Sequence, residues 1–417
     1  MGSAPHLPSA SAPRRFASFV GRRTPGGRLT RAFAFAATAA MLISLLAVGS
    51  VAASGGGTRF VAKSGSDANP CSRSQPCLTI GHALDVAPPG SRVIVRHGRY
   101  HEQVFVTQKV HLIGRHATID ATGLLDSLPP LDGFGIIGMG LTVMGPGAAE
   151  SSVEGFRVEN APAEGILVVM TSDVTIRHNE VTHNDQGATT AFDPFPSECA
   201  PQGEVPGDCG EGIHLLTVTD SHVSWNDVHD NVGGFLLTDE VGPTSGNRLV
   251  HNVARNNKLD CGFTLPSHNP DALGDPSKGG VYDNVIKRNV SVGNGGAGVG
   301  MFAPFPGAAS YDNRVVENLV LKNGEAGIAI HSHTPGQNVS GNVIRRNWVA
   351  GNGVDPDFVD TSTHIGIMLG SLADPVDVVV RKNHVAKEDV GIYRSGPITV
   401  HGLESNRFAG SVGTRIV

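Results

Sequence analysis

Valine and isoleucine stand two or three to a cluster along most of this chain, and each cluster closes on an asparagine. Val174-Thr175-Ile176-Arg177-His178-Asn179, His222-Val223-Ser224-Trp225-Asn226 and Arg248-Leu249-Val250-His251-Asn252 are the first three. Val285–Asn289, Arg314–Asn318, Val343–Asn347 and Val378–Asn383 follow. A second polar residue comes five positions later, at Asn184, Asn231, Asn257, Asn294, Asn323, Asn352 and Glu388. A Gly-Ile-like step and another apolar cluster then complete the unit. The leading asparagines are 47, 26, 37, 29, 29 and 36 residues apart, as expected of one supersecondary unit with insertions of varying length. No helical period runs through the unit, and it is too short for a strand with a packed helix. The pattern therefore predicts two or three short strands per coil, stacked about 4.8 Å from coil to coil. Like residues then stack on like, so the asparagines are expected to form an amide ladder in a turn, at positions that tolerate left-handed backbone.

The segment 58–122 reads differently. Phe60–Ala62, Val93–Val95, Val104–Val106 and His111–Ile113 are short apolar clusters that predict strands. Ile80, Ala83, Leu84 and Ala87 recur at helical spacing, and Pro88-Pro89-Gly90 ends that helix. A helix ahead of many strands suits a cap over the open end of a stacked-coil solenoid. The expected fold is all-β, a right-handed parallel β-helix with an N-terminal helical cap, its repeats filling 123–417.

Composition fits this picture: 54 glycines among 417 residues suit tight turns, and an aromatic fraction of 5% excludes a large aromatic core. Residues 1–53 read as a signal peptide. Six arginines without an acid, an apolar stretch from Ala32 to Val51 and the small residues Val51-Ala52-Ala53 occur in the order of a cleavable export signal. The bland alternative is an uncleaved membrane anchor. Cleavage predicts a secreted protein with no membrane attachment. It removes six of 32 basic residues and none of 38 acids, which moves the net charge from −6 to −12. So acidic a chain is not expected to bind nucleic acid. In an exported protein, two disulfides are expected from the close pairs, Cys71 with Cys77 and Cys199 with Cys209, and Cys261 is left over as a buried thiol. Neither pair has metal-site spacing, so no metal is assigned to them.

The repeats resemble those of the right-handed parallel β-helix superfamily that includes the pectate-lyase-like proteins. Phe60-Val61-Ala62-Lys63-Ser64-Gly65-Ser66-Asp67-Ala68-Asn69-Pro70, continuing through Cys77-Leu78-Thr79-Ile80 to Gly98-Arg99-Tyr100, resembles the leading segment of many secreted members. The resemblance implies the fold across nearly all of the chain after the signal. For activity it implies a range: lyases, hydrolases, epimerases and proteins without catalysis share the fold. Ligands in this superfamily usually lie along one parallel sheet.

That strand starts at Gly165, Gly212, Gly234, Gly262, Gly298, Gly327, Gly366 and Gly391. Counted from each glycine, alternate residues point outward. His214, Thr264, Phe302, His331 and Tyr393 are so placed, with Arg394 the one basic residue beside them. Asp239-Glu240, Ser267-His268, Asp271 and His333 follow just beyond the strand ends. Carboxylates beside imidazoles form a workable acid–base set, and carboxylates several ångströms apart suit glycoside chemistry. Asp239, His268, His331 and His333 are the candidate catalytic groups; His214, Glu240, Asp271, Phe302, Tyr393 and Arg394 are the candidate substrate contacts. The blander reading is solvated loop polarity in a chain that holds 18 histidines. Asp239, Glu240, Asp271 and Asp275 would suit calcium, but their spacing follows no calcium-loop pattern. Lyases of this fold commonly use a basic proton abstractor, which the outward positions lack apart from Arg394. The expected function is thus a monomeric secreted β-helix that binds a polysaccharide or cell-surface glycan along one sheet and cleaves or modifies it, as a lyase or glycoside hydrolase. The alternative is a non-catalytic extracellular binding or surface protein.

Overall fold

A computed structural model describes residues 56–124, 138–184, 211–357 and 362–417. The expected signal peptide lies outside them. So does the second expected disulfide, because both Cys199 and Cys209 fall in the undescribed stretch 185–210. Nearly every strand pairs in parallel with the equivalent strand of the next coil, which is the right-handed parallel β-helix expected. A coil is a strand, an asparagine corner, a second strand, a second asparagine corner and a third strand: Val285–Lys287, Val290–Val292 and Val299–Ala303 make one. Among the described residues, the first two strand rows belong to one 21-stranded sheet and the third row to a 14-stranded sheet. Val110–Asp120 and Ser152–Glu159 run through the first two rows without a break, across a bulge between Ile113 and Ala117.

The core is a set of stacked columns. Ile213, Phe235, Phe263, Val299, Ile328, Ile367 and Ile392 stand in register down the 14-stranded sheet. Phe235 and Phe263 stack face to face with centroids 4.7 Å apart. The aligned glycines that open these strands have a steric reason. A Cβ on Gly327 would lie 2.4 Å from Val349 Cγ1 and 2.8 Å from Asn352 Nδ2, so only glycine lets the strand pass under the asparagine corner. At the N-terminal end, the helix Ile80–Asp85 is capped by Thr79, whose hydroxyl accepts from His82 N at 3.3 Å. It packs Ile80, Ala83 and Leu84 onto the first strands. Cys71 and Cys77 form the first expected disulfide beside it, and Cys261 is a buried free thiol.

The amide ladders are present in full. Asn179, Asn226, Asn252, Asn289, Asn318, Asn347, Asn383 and Asn406 form one, each Nδ2 donating to the next Oδ1. The second runs from Asn184 through Asn231, Asn257, Asn294, Asn323 and Asn352 to Glu388. A third, Asn247, Asn284, Asn313 and Asn342, stands at another corner. One detail of the expectation is corrected. Left-handed backbone falls on the residue before the ladder asparagine: His178, Trp225, His251, Arg288, Glu317, Arg346 and Lys382 all have φ of 54–61°. The asparagine keeps ordinary angles and aims its amide at the buried corner. The preceding residue makes the turn, at a cost of about 1–2 kcal/mol that the corner hydrogen bonds offset.

Glu388 closes the second ladder. Its Oε1 accepts from Asn352 N and Nδ2 at 3.1 and 3.0 Å, and the side chain is buried. Burial pushes its carboxyl up to about 7 against those hydrogen bonds. A raised folded pKa means that the native state holds a proton which the unfolded state releases near 4.5, so stability falls as pH rises from about 4.5 to 7. The Glu388→Gln protein is expected to lose that slope and to gain on the order of 2–3 kcal/mol over the parent at pH 8. Urea unfolding at pH 5 and pH 8 checks it; equal slopes in parent and variant would refute the assignment.

Candidate functional site

The inward/outward alternation of the 14-stranded sheet holds: Ile213 and Leu215 enter the core, while His214 points away from it. Two outward columns carry the candidate groups. Leu167, His214 and Leu236 align with Thr264, then Gly300, Ala329, Met368 and Tyr393. Pro266, Phe302, His331 and Gly370 make part of the second. Gly300 has a local purpose, because the Phe302 ring folds onto it: a Cβ there would lie 2.2 Å from Cζ.

The blander reading, a solvated stripe, does not hold for three of these residues: His214, Asp239 and His331 are buried. Three imidazole–carboxylate units result. His214 Nδ1 meets Glu164 Oε1 at 2.7 Å and its Nε2 meets Thr238 Oγ1 at 2.8 Å. His268 Nδ1 lies 2.9 Å from Glu240 Oε1. Burial raises the Glu240 carboxyl most, but the hydrogen bond and charge of His268, the charge of His214 and a Thr238 hydrogen bond together outweigh it and hold the group below its ordinary range.

His331 is flanked on both ring nitrogens, with Nε2 2.8 Å from Asp355 Oδ2 and Nδ1 3.2 Å from Asp357 Oδ2. Burial opposes its charge, yet the hydrogen bonds and charges of Asp355 and Asp357 push its pKa up to about 9. His333 Nε2 approaches the same Asp357 oxygen at 3.8 Å, and burial and the His331 charge lower its pKa. The Phe302 ring packs on His331, centroids 5.1 Å apart. Burial of the half-buried Glu325, with the charges of Asp355 and Asp260, pushes its carboxyl up to about 7. The coil geometry sets His268 and His333 two coils apart, about 10 Å along the sheet.

Asp239 behaves differently from the other candidates. Its Oδ1 accepts from His268 N at 2.6 Å and Asn269 N at 3.3 Å; Oδ2 accepts from Ser267 Oγ at 2.8 Å and from Gly280 N. The carboxylate ties the loop that carries His268 to the strand end. Burial lifts it to about 6, with the neighbouring Glu240 charge adding to the shift.

The remaining candidates scatter. Tyr393 and Phe302 are half-buried against Met368 and Ala329. Asp271 is exposed, and Asp275 accepts from the hydroxyl and amide of Ser277 in its own turn. Arg394 lies in register with Leu369, a core column, and is exposed because only the terminal strand stacks below it. It stands an odd step from Gly391, so it is not on the histidine face. Glu164, Glu325, Asp355 and Asp357 were not found from sequence. Glu164 left a trace, since acids immediately precede the aligned glycines at Glu164-Gly165 and Glu211-Gly212.

Among the described residues, no helix is long and apolar enough to cross a membrane. A family model described as "Protein of unknown function (DUF1565)" matches residues 63–293, a span that holds His214, Asp239, Glu240 and His268. No curated protein matches the sequence. Among solved structures, pectate lyase Pel9A aligns with a TM-score of 0.50 at 16% identity, over 86% of this chain and 80% of its own. A family 28 exopolygalacturonase of Yersinia enterocolitica gives 0.45 at 10% identity, over 81% and 73%. The periplasmic alginate epimerase AlgG, as a double mutant, gives 0.42 at 13%, over 82% and 83%. The Pel9A likeness is one of fold.

Proposed function

The chain belongs to the DUF1565 family, and we propose that it is an exported carbohydrate-active protein that holds a polysaccharide across the outer face of the 14-stranded sheet and modifies it by general acid–base chemistry. One observation carries the reading: the imidazole–carboxylate unit of His268 with Glu240 stands on the same face as His331, with Phe302 on the coil between them. His268 and His333 keep 14% and 30% of their side chains exposed, so a ligand reaches them. Half-buried Phe302 and Tyr393 offer flat apolar surface to the ring faces of sugars. Glu325, Asp355 and Asp357 line the same region and the whole chain is acidic, which favours a neutral polysaccharide over a polyanion. Pectate lyase Pel9A shares the fold, so the architecture accommodates lyase chemistry in at least one other protein.

In this reading His268 exchanges the proton, Glu240 fixes its orientation, and Asp239 positions the loop. Purified protein is screened against neutral and acidic polysaccharides, with reducing ends and unsaturated products as the readouts. A neutral substrate is expected, and His268→Ala should lower turnover about a hundredfold or more. Saturable binding without product would leave the non-catalytic glycan-binding reading in its place. Turnover unchanged in His268→Ala would reject this residue as the acid–base group.

A further inference from the structure

We propose that His331, His333 and Asp357 hold a divalent transition-metal ion of the zinc type, with Asp355 as the outer partner that orients His331. The inference stands on geometry alone and does not depend on the polysaccharide reading.

His331 and His333 lie two residues apart at the end of the strand Ile328–Ser332, so both rings project to the same side. The loop that follows the next asparagine corner brings Asp355 and Asp357 over them. One nitrogen from each ring and one Asp357 oxygen lie within 4.8 Å of one another. Two ligand atoms about 2.0–2.1 Å from a tetrahedral ion are about 3.3–3.4 Å apart. The observed separations from Asp357 Oδ2 are 3.2 Å to His331 Nδ1 and 3.8 Å to His333 Nε2, which bracket that value.

A neutral imidazole carries one N–H. If His331 places it on Asp355 through Nε2, its Nδ1 lone pair faces the Asp357 carboxylate, and a cation between them turns that repulsion into two ligand bonds. A doubly protonated His331 would serve Asp355 and Asp357 without a metal, with His333 donating to the same Asp357 oxygen. The metal titration decides between the two.

The buried Asp355 then has the place of the carboxylate that commonly binds the far nitrogen of a metal-bound histidine, fixing its tautomer and raising its basicity. Two nitrogens and one oxygen select a zinc-like ion over calcium or magnesium, which take oxygen ligands. Three protein ligands leave a fourth position for water or a ligand oxygen.

Untagged protein titrated with Co2+ should develop visible d–d absorption that saturates at one equivalent and is displaced by Zn2+, while Ca2+ has no effect. His333→Ala is the informative variant, because its side chain is the more exposed of the two. It should melt at the parent's temperature without metal and bind at least a hundredfold more weakly. Asp355→Asn should weaken binding about 10–100-fold through the outer partner. Absence of the d–d bands, or bands of equal strength and affinity in His333→Ala, would overturn the proposal. So would metal-induced stabilisation that survives Asp357→Asn unchanged. None of these readouts requires a sugar, so the site and the acid–base reading fail separately.

Discussion

Replacing Asn318 by alanine is expected to destabilise the protein by about 4 kcal/mol, more than any substitution on its exposed surface. Asn318 is 3% exposed and makes four side-chain hydrogen bonds. Its Oδ1 accepts from Asn289 N and Nδ2 at 2.9 and 3.2 Å; its Nδ2 donates to the Ile286 carbonyl at 2.8 Å and to Asn347 Oδ1 at 3.0 Å. Alanine strands a backbone amide, a side-chain amide and a carbonyl in a dry corner, each costing about 1–3 kcal/mol, with partial relaxation offsetting some of it. It also leaves Glu317 in left-handed backbone, at φ 59°, without the bonds that hold it there. Asn318→Asp keeps the acceptors but buries a charge and turns its second oxygen onto the Ile286 carbonyl and Asn347 Oδ1, so at neutral pH it should cost at least as much. Asn406 ends the ladder at a more exposed corner, where water can reach the stranded groups, so its loss should cost less than that of Asn318. Urea unfolding followed by circular dichroism measures all three. A loss below 1 kcal/mol for Asn318→Ala would mean that the ladder is ornament on a fold held by its apolar columns.

The ladders explain why the fold was readable. In a stacked solenoid one position of the coil meets the same neighbours on every turn, so it selects the same residue repeatedly. The asparagines of the first two corners and the glycines at the strand starts are that selection seen in one dimension. The third ladder was harder to see. Asn247, Asn284, Asn313 and Asn342 sit beside loops of differing length, which break the local pattern around them. The left-handed residue was misplaced for a related reason. Asparagine is the usual occupant of such angles, and only the structure shows that its amide is needed elsewhere.

The candidate site was legible in its columns and not in its cover. Strand parity found His214, Phe302, His331 and Tyr393, because alternation survives from one coil to the next. Parity also shows that Arg394 belongs to the core column. It said nothing about loops that return over the sheet, and these supply Asp355 and Asp357. Those two acids lie in an insertion with no counterpart in neighbouring repeats, so no periodicity marks them.

Asp239 shows how the cover changes the meaning of a residue. As an outward acid beside a histidine it reads as a proton carrier, and alanine there should barely affect folding. In the structure it is fully buried, and both oxygens are occupied by the donors of Ser267, His268, Asn269 and Gly280. Asp239→Ala is therefore expected to cost about 3–5 kcal/mol, since it leaves backbone amides of the 267–280 loop without acceptors. Asp239→Asn separates charge from geometry. Each carboxylate oxygen accepts a backbone N–H, so the asparagine NH2 must face one of those donors whichever way it turns. The isosteric variant should recover less than half of the loss, although burial already disfavours the charge. Full rescue by asparagine would show that the carboxylate is dispensable as a double acceptor. The functional readout follows from the same bonds. Asp239 holds the backbone of His268, so under the proposed function a folded Asp239→Asn protein should misplace that imidazole and lose turnover while its pH profile keeps its shape. A profile that instead loses one limb would make Asp239 a proton carrier after all.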